Sequence, residues 1–91
     1  MADYGSDSVF ITPAGVLRGK DQIRQAFSEI LADLPDAKWD VPTQIFEGDA
    51  LLIEWTAESS AATVKDGIDT FVFDGDLIRL QTVRYTLERR G

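Results

Sequence analysis

After residue 38 the apolar residues of this chain recur at every second position through four stretches, and only one earlier stretch repeats with the period of a helix. A period of two sends successive side chains to opposite faces of a strand. A chain patterned this way must build a sheet with one apolar face, and it has a single helix with which to cover that face. Its 91 residues allow one domain, residues 1–91.

The elements follow from local pattern. Ser8 to Thr12 is β-branched and aromatic and reads as a first strand, ended by the Pro13-Ala14-Gly15 turn and followed by a short extended piece, Val16 to Arg18. Asp21 to Leu34 is the helix. Its stripe is Ile23, Ala26, Phe27, Ile30, Leu31 and Leu34, and Pro35 stops it. Trp39 to Glu47 and Ala50 to Glu58 form a hairpin through Gly48-Asp49. Ser59 to Val64 is small and polar and reads as a loop or a loose hairpin end. Gly67 to Phe73 and Leu77 to Leu87 complete an antiparallel meander through the turn Asp74-Gly75-Asp76.

Alternation also assigns the faces. Leu51, Ile53, Trp55 and Ala57 share one side, and Asp69, Phe71 and Phe73 share one side of the next strand. If Gly75-Asp76 are the loop residues, Phe73 opposes Ile78, Phe71 opposes Leu80 and Asp69 opposes Thr82, with Arg84 diagonal to Asp69. The apolar face then carries Asp69, Thr82 and Arg84 as its polar members, while Arg79, Gln81, Val83 and Tyr85 look the other way. One helix is narrow for strands this long. Part of the face should remain as a cavity or be covered by something else.

Asp69 is therefore a carboxylate on an otherwise apolar face, and two roles fit it. Desolvation among Phe71, Trp55 and Leu80 would raise its pKa and suit a proton donor. Pairing with Arg84 or a backbone amide would lower it and make Asp69 a structural acceptor. Arg84 could clamp an anionic ligand or simply serve that pair. Trp55 is either a ring-stacking platform or core, and Trp39 is expected to face outward.

Composition removes several classes of chemistry. Sixteen acids against nine bases give a net charge of −7, and the bases are scattered, so no nucleic-acid partner and no anionic membrane surface is expected. The chain lacks cysteine and histidine, which excludes disulfides, thiol nucleophiles, the serine–histidine triad and most zinc chemistry. No metal site and no cofactor is expected. No apolar run has the roughly 20 residues of a membrane span. The first residues lack the pattern of a signal peptide, so a cytoplasmic domain is expected.

Three segments, in their order and spacing, carry a resemblance. They are YGSDSVFITPAG (Tyr4 to Gly15), LRGKDQIRQAF (Leu17 to Phe27) and DTFVFDGDLIR (Asp69 to Arg79). The chain resembles the nuclear-transport-factor-2-like superfamily, in its SnoaL-like and ketosteroid-isomerase-like branch. The resemblance implies an α+β, cystatin-like fold in which a curved antiparallel sheet wraps as a cone against helix, with a pocket inside. In the family a long helix usually precedes the position of Tyr4; the three residues before Tyr4 leave no room for it, whether the gene product is short, the sequence is cut from a longer one, or a partner fills the gap. Family members often form homodimers through the outer sheet face, expected here to bear Thr70, Val72, Gln81, Val83 and Tyr85. In ketosteroid isomerases an Asp at the position of Thr12 is the general base, a Tyr on the first helix stabilises the oxyanion, and the Asp equivalent to Asp69 is held protonated. Only Asp69 matches, so steroid isomerisation is not expected.

The expectation is a domain that binds a small, largely apolar molecule between sheet and helix. Asp69 and Arg84 are its catalytic candidates, and Thr12, Phe27, Ile53, Trp55, Phe71, Leu80 and Thr82 its ligand-binding ones. Any chemistry would be acid–base, of the isomerase, cyclase or dehydratase type. The alternative is a non-catalytic dimerising or protein-interaction module.

Overall fold

A computed structural model describes residues 3–90. In chain order the elements are β1 (Asp3–Thr12), β2 (Gly15–Arg18), α1 (Lys20–Asp33), β3 (Lys38–Glu47), β4 (Ala50–Glu58), β5 (Ala62–Asp74), β6 (Leu77–Arg84) and β7 (Glu88–Arg89). The strands form one sheet in the order β2-β1-β6-β5-β4-β3, with β7 added to the start of β5. The α+β architecture agrees with the sequence reading. The sheet is mixed, however, because β1 runs parallel to β6. The segment from Ser59 is a loop only as far as Ala61. Ala62 and Val64 already belong to β5 and are fully buried.

The helix begins after Gly19, whose φ of 82° suits a residue without a Cβ. No side chain caps its first amides, but Gln22 reaches back from the first turn to accept from the Arg18 amide at 2.9 Å. The Gly19 amide donates to the Ser8 carbonyl at 2.9 Å, which ties the helix start to β1. Ile23 and Leu34 are buried, and the Phe27 ring stacks on Phe10 with centroids 5.4 Å apart. Leu31, at the margin of the stripe, is 56% exposed.

Register is where the structure departs from simple alternation. Phe73 does oppose Ile78 as expected, but Val72 then opposes Leu80. Arg79 is thus an extra residue in β6, a β-bulge, and everything beyond it changes face. Phe71 opposes Gln81, Thr70 opposes Thr82, Asp69 opposes Val83 and Ile68 opposes Arg84. Gln81 and Val83 therefore join Asp69, whereas Leu80, Thr82 and Arg84 lie on the far side. A second irregularity between Trp55 and Ala57 turns the other end of β5, and a third breaks β3 between Asp40 and Thr43.

The inner face carries the row Phe10, Gln81, Phe71, Leu51 and Phe46 across five strands. At one end Phe10 is fully buried under α1; at the other Phe46 is 63% exposed. The helix packs on β1 and β2 and leaves the β3 end bare. The main core gathers Phe10, Ile23, Leu34, Trp55, Ala57, Ala62, Val64 and Val83. The outer face carries Ile11, Thr82, Thr70, Leu52 and Ile45, also in register.

Candidate functional site

Two neighbouring features on the inner face could carry function. The first is a buried polar chain centred on Asp69, which is 5% exposed. The Trp55 indole N–H donates to one carboxylate oxygen at 2.7 Å and the Gln81 amide donates to the other at 2.6 Å. The Tyr4 hydroxyl donates in turn to the carbonyl oxygen of Gln81. Trp55 can reach Asp69 because Gly67 opposes it in the ladder and offers no side chain beneath the indole. No buried side-chain polar atom among the described residues lacks a partner.

The electrostatics of this chain are unusual in having no cation. Burial pushes the Asp69 carboxyl above its ordinary range, against the opposing effect of the Gln81 and Trp55 hydrogen bonds. Burial, and then the charges of Asp69 and Asp3, push the Tyr4 phenol up to about 12. Tyr4 therefore stays a donor throughout the accessible pH range, and its proton fixes which way the Gln81 amide points. The arrangement can hold a carboxyl group in place. Each oxygen of Asp69 is taken by one of these donors.

The second feature is an open cleft of about 730 Å³ between α1 and the inner face at the β1–β2 end. Its floor is Phe10 and Val83, Ala26 and Ile30 form the helix wall, and Leu17 and Leu87 close the sides. Gln22, Gln25, Glu29 and Asp33 rim the helix side, and Tyr85 and Thr12 face them. The Thr12 hydroxyl is engaged locally, donating to the Gly15 carbonyl and accepting from the Ala14 amide, both at 3.1 Å. Asp33 is paired with Arg89 at 3.4 Å. No group of three or more metal-ligating side chains occurs among the described residues.

The expected site residues are divided between these features and the far side of the sheet. Thr12 lines the cleft. Ile53 and Phe71 stand beside Asp69 on the inner face, and Trp55 is its donor. Phe27 packs between Phe10 and Tyr4, outside the cleft lining. Leu80, Thr82 and Arg84 are corrections. The Arg79 bulge puts them on the outer face, so Arg84 is exposed and cannot pair with Asp69. The same shift brings Gln81 and Val83 inward, away from the outer face assigned to them. Tyr85 and Trp39 also turn inward, each with its ring 5.5 Å from that of Trp55. Gln81 and Tyr4 are the partners that sequence reading missed. A clue lay in Gly67, since a glycine inside a strand often marks close approach by another group.

Residues 1–81 match the family described as the SnoaL-like domain. No curated protein sequence matches the chain at a significant level. Among solved structures, a protein from Kribbella flavida superposes with a TM-score of 0.77 at 15% identity, over 91% of this chain and 67% of that one. A SnoaL-like protein of unknown function from Burkholderia thailandensis gives 0.72 at 18% identity, over 91% and 75%. A protein with a ketosteroid isomerase-like fold from Catenulispora acidiphila, solved in complex with trimethylamine, gives 0.73 at 16% identity, over 91% and 69%. These likenesses are of fold. The family match spans nearly the whole chain and agrees with that fold, and the chain belongs to the SnoaL-like domain family.

Proposed function

We propose that this domain binds a small, largely apolar molecule in the cleft between α1 and the inner sheet face. The observation that carries the reading is the cleft itself. At about 730 Å³ it has the size of a small-molecule site, with carbon on its floor and polar groups confined to its rim. Asp69 supports the site from beside its floor by fixing Trp55 and Gln81 and does not touch the ligand. Acid–base chemistry of the isomerase, cyclase or dehydratase type would then fall to Tyr85, Glu29 or Asp33, which do line the cleft.

A fragment screen read by amide chemical shifts tests this. Hits are expected to move the resonances of Ala26, Val83 and Leu87 and to lose affinity in Ala26→Phe, which fills the cleft from the helix side. Hits that gather on another surface, or that bind Ala26→Phe equally well, would sink the reading.

A second reading, self-association, has its own support. The outer face presents a row of β-branched and aliphatic residues, with Ile11 41% and Ile45 56% exposed at its ends. Next to it, Glu54, Ile68 and Arg84 form a parallel row with opposite charges at its two ends. A two-fold axis through such a face would set Glu54 against Arg84 of the partner subunit. Binding and pairing use opposite faces of one sheet and are compatible.

A further inference from the structure

We propose that the cleft selects amines: an organic ammonium group carried on a compact apolar body. This rests on the cleft being a ligand site, as proposed above. The charged side chains that line it are Glu29 and Asp33, both acids, and no lysine or arginine lines it. Arg89 reaches Asp33 from outside the lining at 3.4 Å and offsets one of the two charges. Glu29 has no ion pair among the described residues.

A third acid stands beside the floor, on the same face of the sheet. Val83, part of that floor, opposes Asp69 in the ladder, and Asp69 has only neutral donors beside it. The reach of these charges is visible at Tyr85 on the cleft wall. Its phenol is pushed up by burial first, then by Asp33 and Asp69. A phenol that remains neutral offers its ring face to a cation. Apolar walls around a set of like charges concentrate their field in the space between them. An anion entering the cleft would meet repulsion on both sides, an uncharged ligand would gain only from the apolar surface, and an ammonium would gain from the surface, the acids and the ring.

Three probes of one shape separate charge from bulk: cyclohexylmethylamine, cyclohexylmethanol and cyclohexanecarboxylate. Each is titrated into the protein near neutral pH in low salt, with the amide shifts of Ala26, Val83 and Leu87 as readout. The amine is expected to bind roughly two- to fivefold more tightly than the alcohol, the range of a partly exposed ion pair, and the carboxylate more weakly than either. The advantage should shrink at about 0.5 M salt and shrink again in the double variant Glu29→Gln/Asp33→Asn, which leaves only Asp69 and the Tyr85 ring to favour a cation, with alcohol binding kept. Equal binding of amine and alcohol, tighter binding of the carboxylate, or an amine advantage undiminished in the double variant overturns amine selection and leaves the cleft as a site. Failure of all three probes to bind overturns both readings.

Discussion

Burial works against the charged form of Asp69, and two neutral donors are all that work for it. Removing the carboxylate should therefore matter less for its charge than for the donors left behind. Asp69→Ala strands the Trp55 indole and the Gln81 amide in a dry site, and we expect a loss of about 2–4 kcal/mol in urea unfolding. Asp69→Asn keeps the shape. Its carboxamide oxygen can accept from Trp55, and its new N–H can be accepted by Gln81 once that amide flips, with Tyr4 turning its hydroxyl into an acceptor. That variant should lie within about 1 kcal/mol of the parent near neutral pH. A loss as large as that of Asp69→Ala would show that the charge itself is needed. The pH dependence has a definite sign. With its folded pKa above the unfolded one, Asp69 holds its proton longer in the native state. Stability from this residue is thus complete below the unfolded pKa and is lost as pH rises through the folded pKa. Acidifying from neutrality should raise the parent relative to Asp69→Asn. A difference that stays level or reverses would contradict the raised pKa. Asp69 itself was legible in the sequence, as a carboxylate out of place in an alternating strand. Trp55 could be placed near it, but Gln81 and Tyr4 could not, because their part depends on which face Gln81 occupies.

At the scale of the element, that face is decided by a single residue. The helix, the central parts of the long strands and both hairpin turns could be read from period and turn chemistry, and the helix bounds were right to within a residue, whereas β1 and β5 each begin five residues earlier than their pattern suggested and β7 was not foreseen. The Arg79 bulge was not, because no residue type demands it there: Ile78-Arg79-Leu80 alternates as a regular strand would. Its cause is tertiary. Beyond the bulge, Val83 contributes to the core and Gln81 to the polar chain, while Arg84 reaches water. The parallel pairing of β1 with β6 was hidden for a similar reason, since it joins residues far apart in sequence that share no local signal. Gly67 is the element-scale feature most open to test. A Cβ built there would lie 2.2 Å from Cε2 of Trp55 and 2.7 Å from its Nε1. Backbone on one side and a packed indole on the other leave nothing to absorb a methyl group. Gly67→Ala should push the indole off Asp69 and cost roughly 2–4 kcal/mol, overpacking added to a broken buried hydrogen bond. The readout is the urea midpoint together with the tryptophan emission maximum, which should move to the red as Trp55 meets water. A variant with parental stability and unshifted emission would mean that the close approach is absent in solution.

For the molecule as a whole, one helix meets one end of a sheet that extends beyond it. The Cα positions span 41 × 27 × 23 Å, long for a chain of this size, because the β3–β4 hairpin runs on past α1. The mismatch was foreseeable from the lengths of the periodic segments. What the uncovered ends and faces do was not, since alternation records which side is apolar and not what packs there. The outer face poses this question most clearly. A monomer would leave Ile11 and Ile45 in water at the two ends of a row whose middle members, Thr82, Thr70 and Leu52, are only half buried. Thr70 lies at the centre of that row, away from the Asp69 chain and from the cleft. In an isolated domain Thr70→Arg would add a long cation to an open sheet face, where it can reach water at little cost. In a dimer closed over this face it would bury two like charges near the axis. The two cases differ by more than the noise of a sedimentation experiment. We expect the parent to sediment as a dimer at micromolar concentration and to melt at a temperature that rises with protein concentration. Thr70→Arg should sediment as a monomer with an unchanged far-ultraviolet spectrum and a melting point independent of concentration. A parent that is monomeric at every concentration removes the pairing reading. A dimer that survives Thr70→Arg places the contact elsewhere, with the bare inner end of β3 around Phe46 and Trp39 the next surface to mutate.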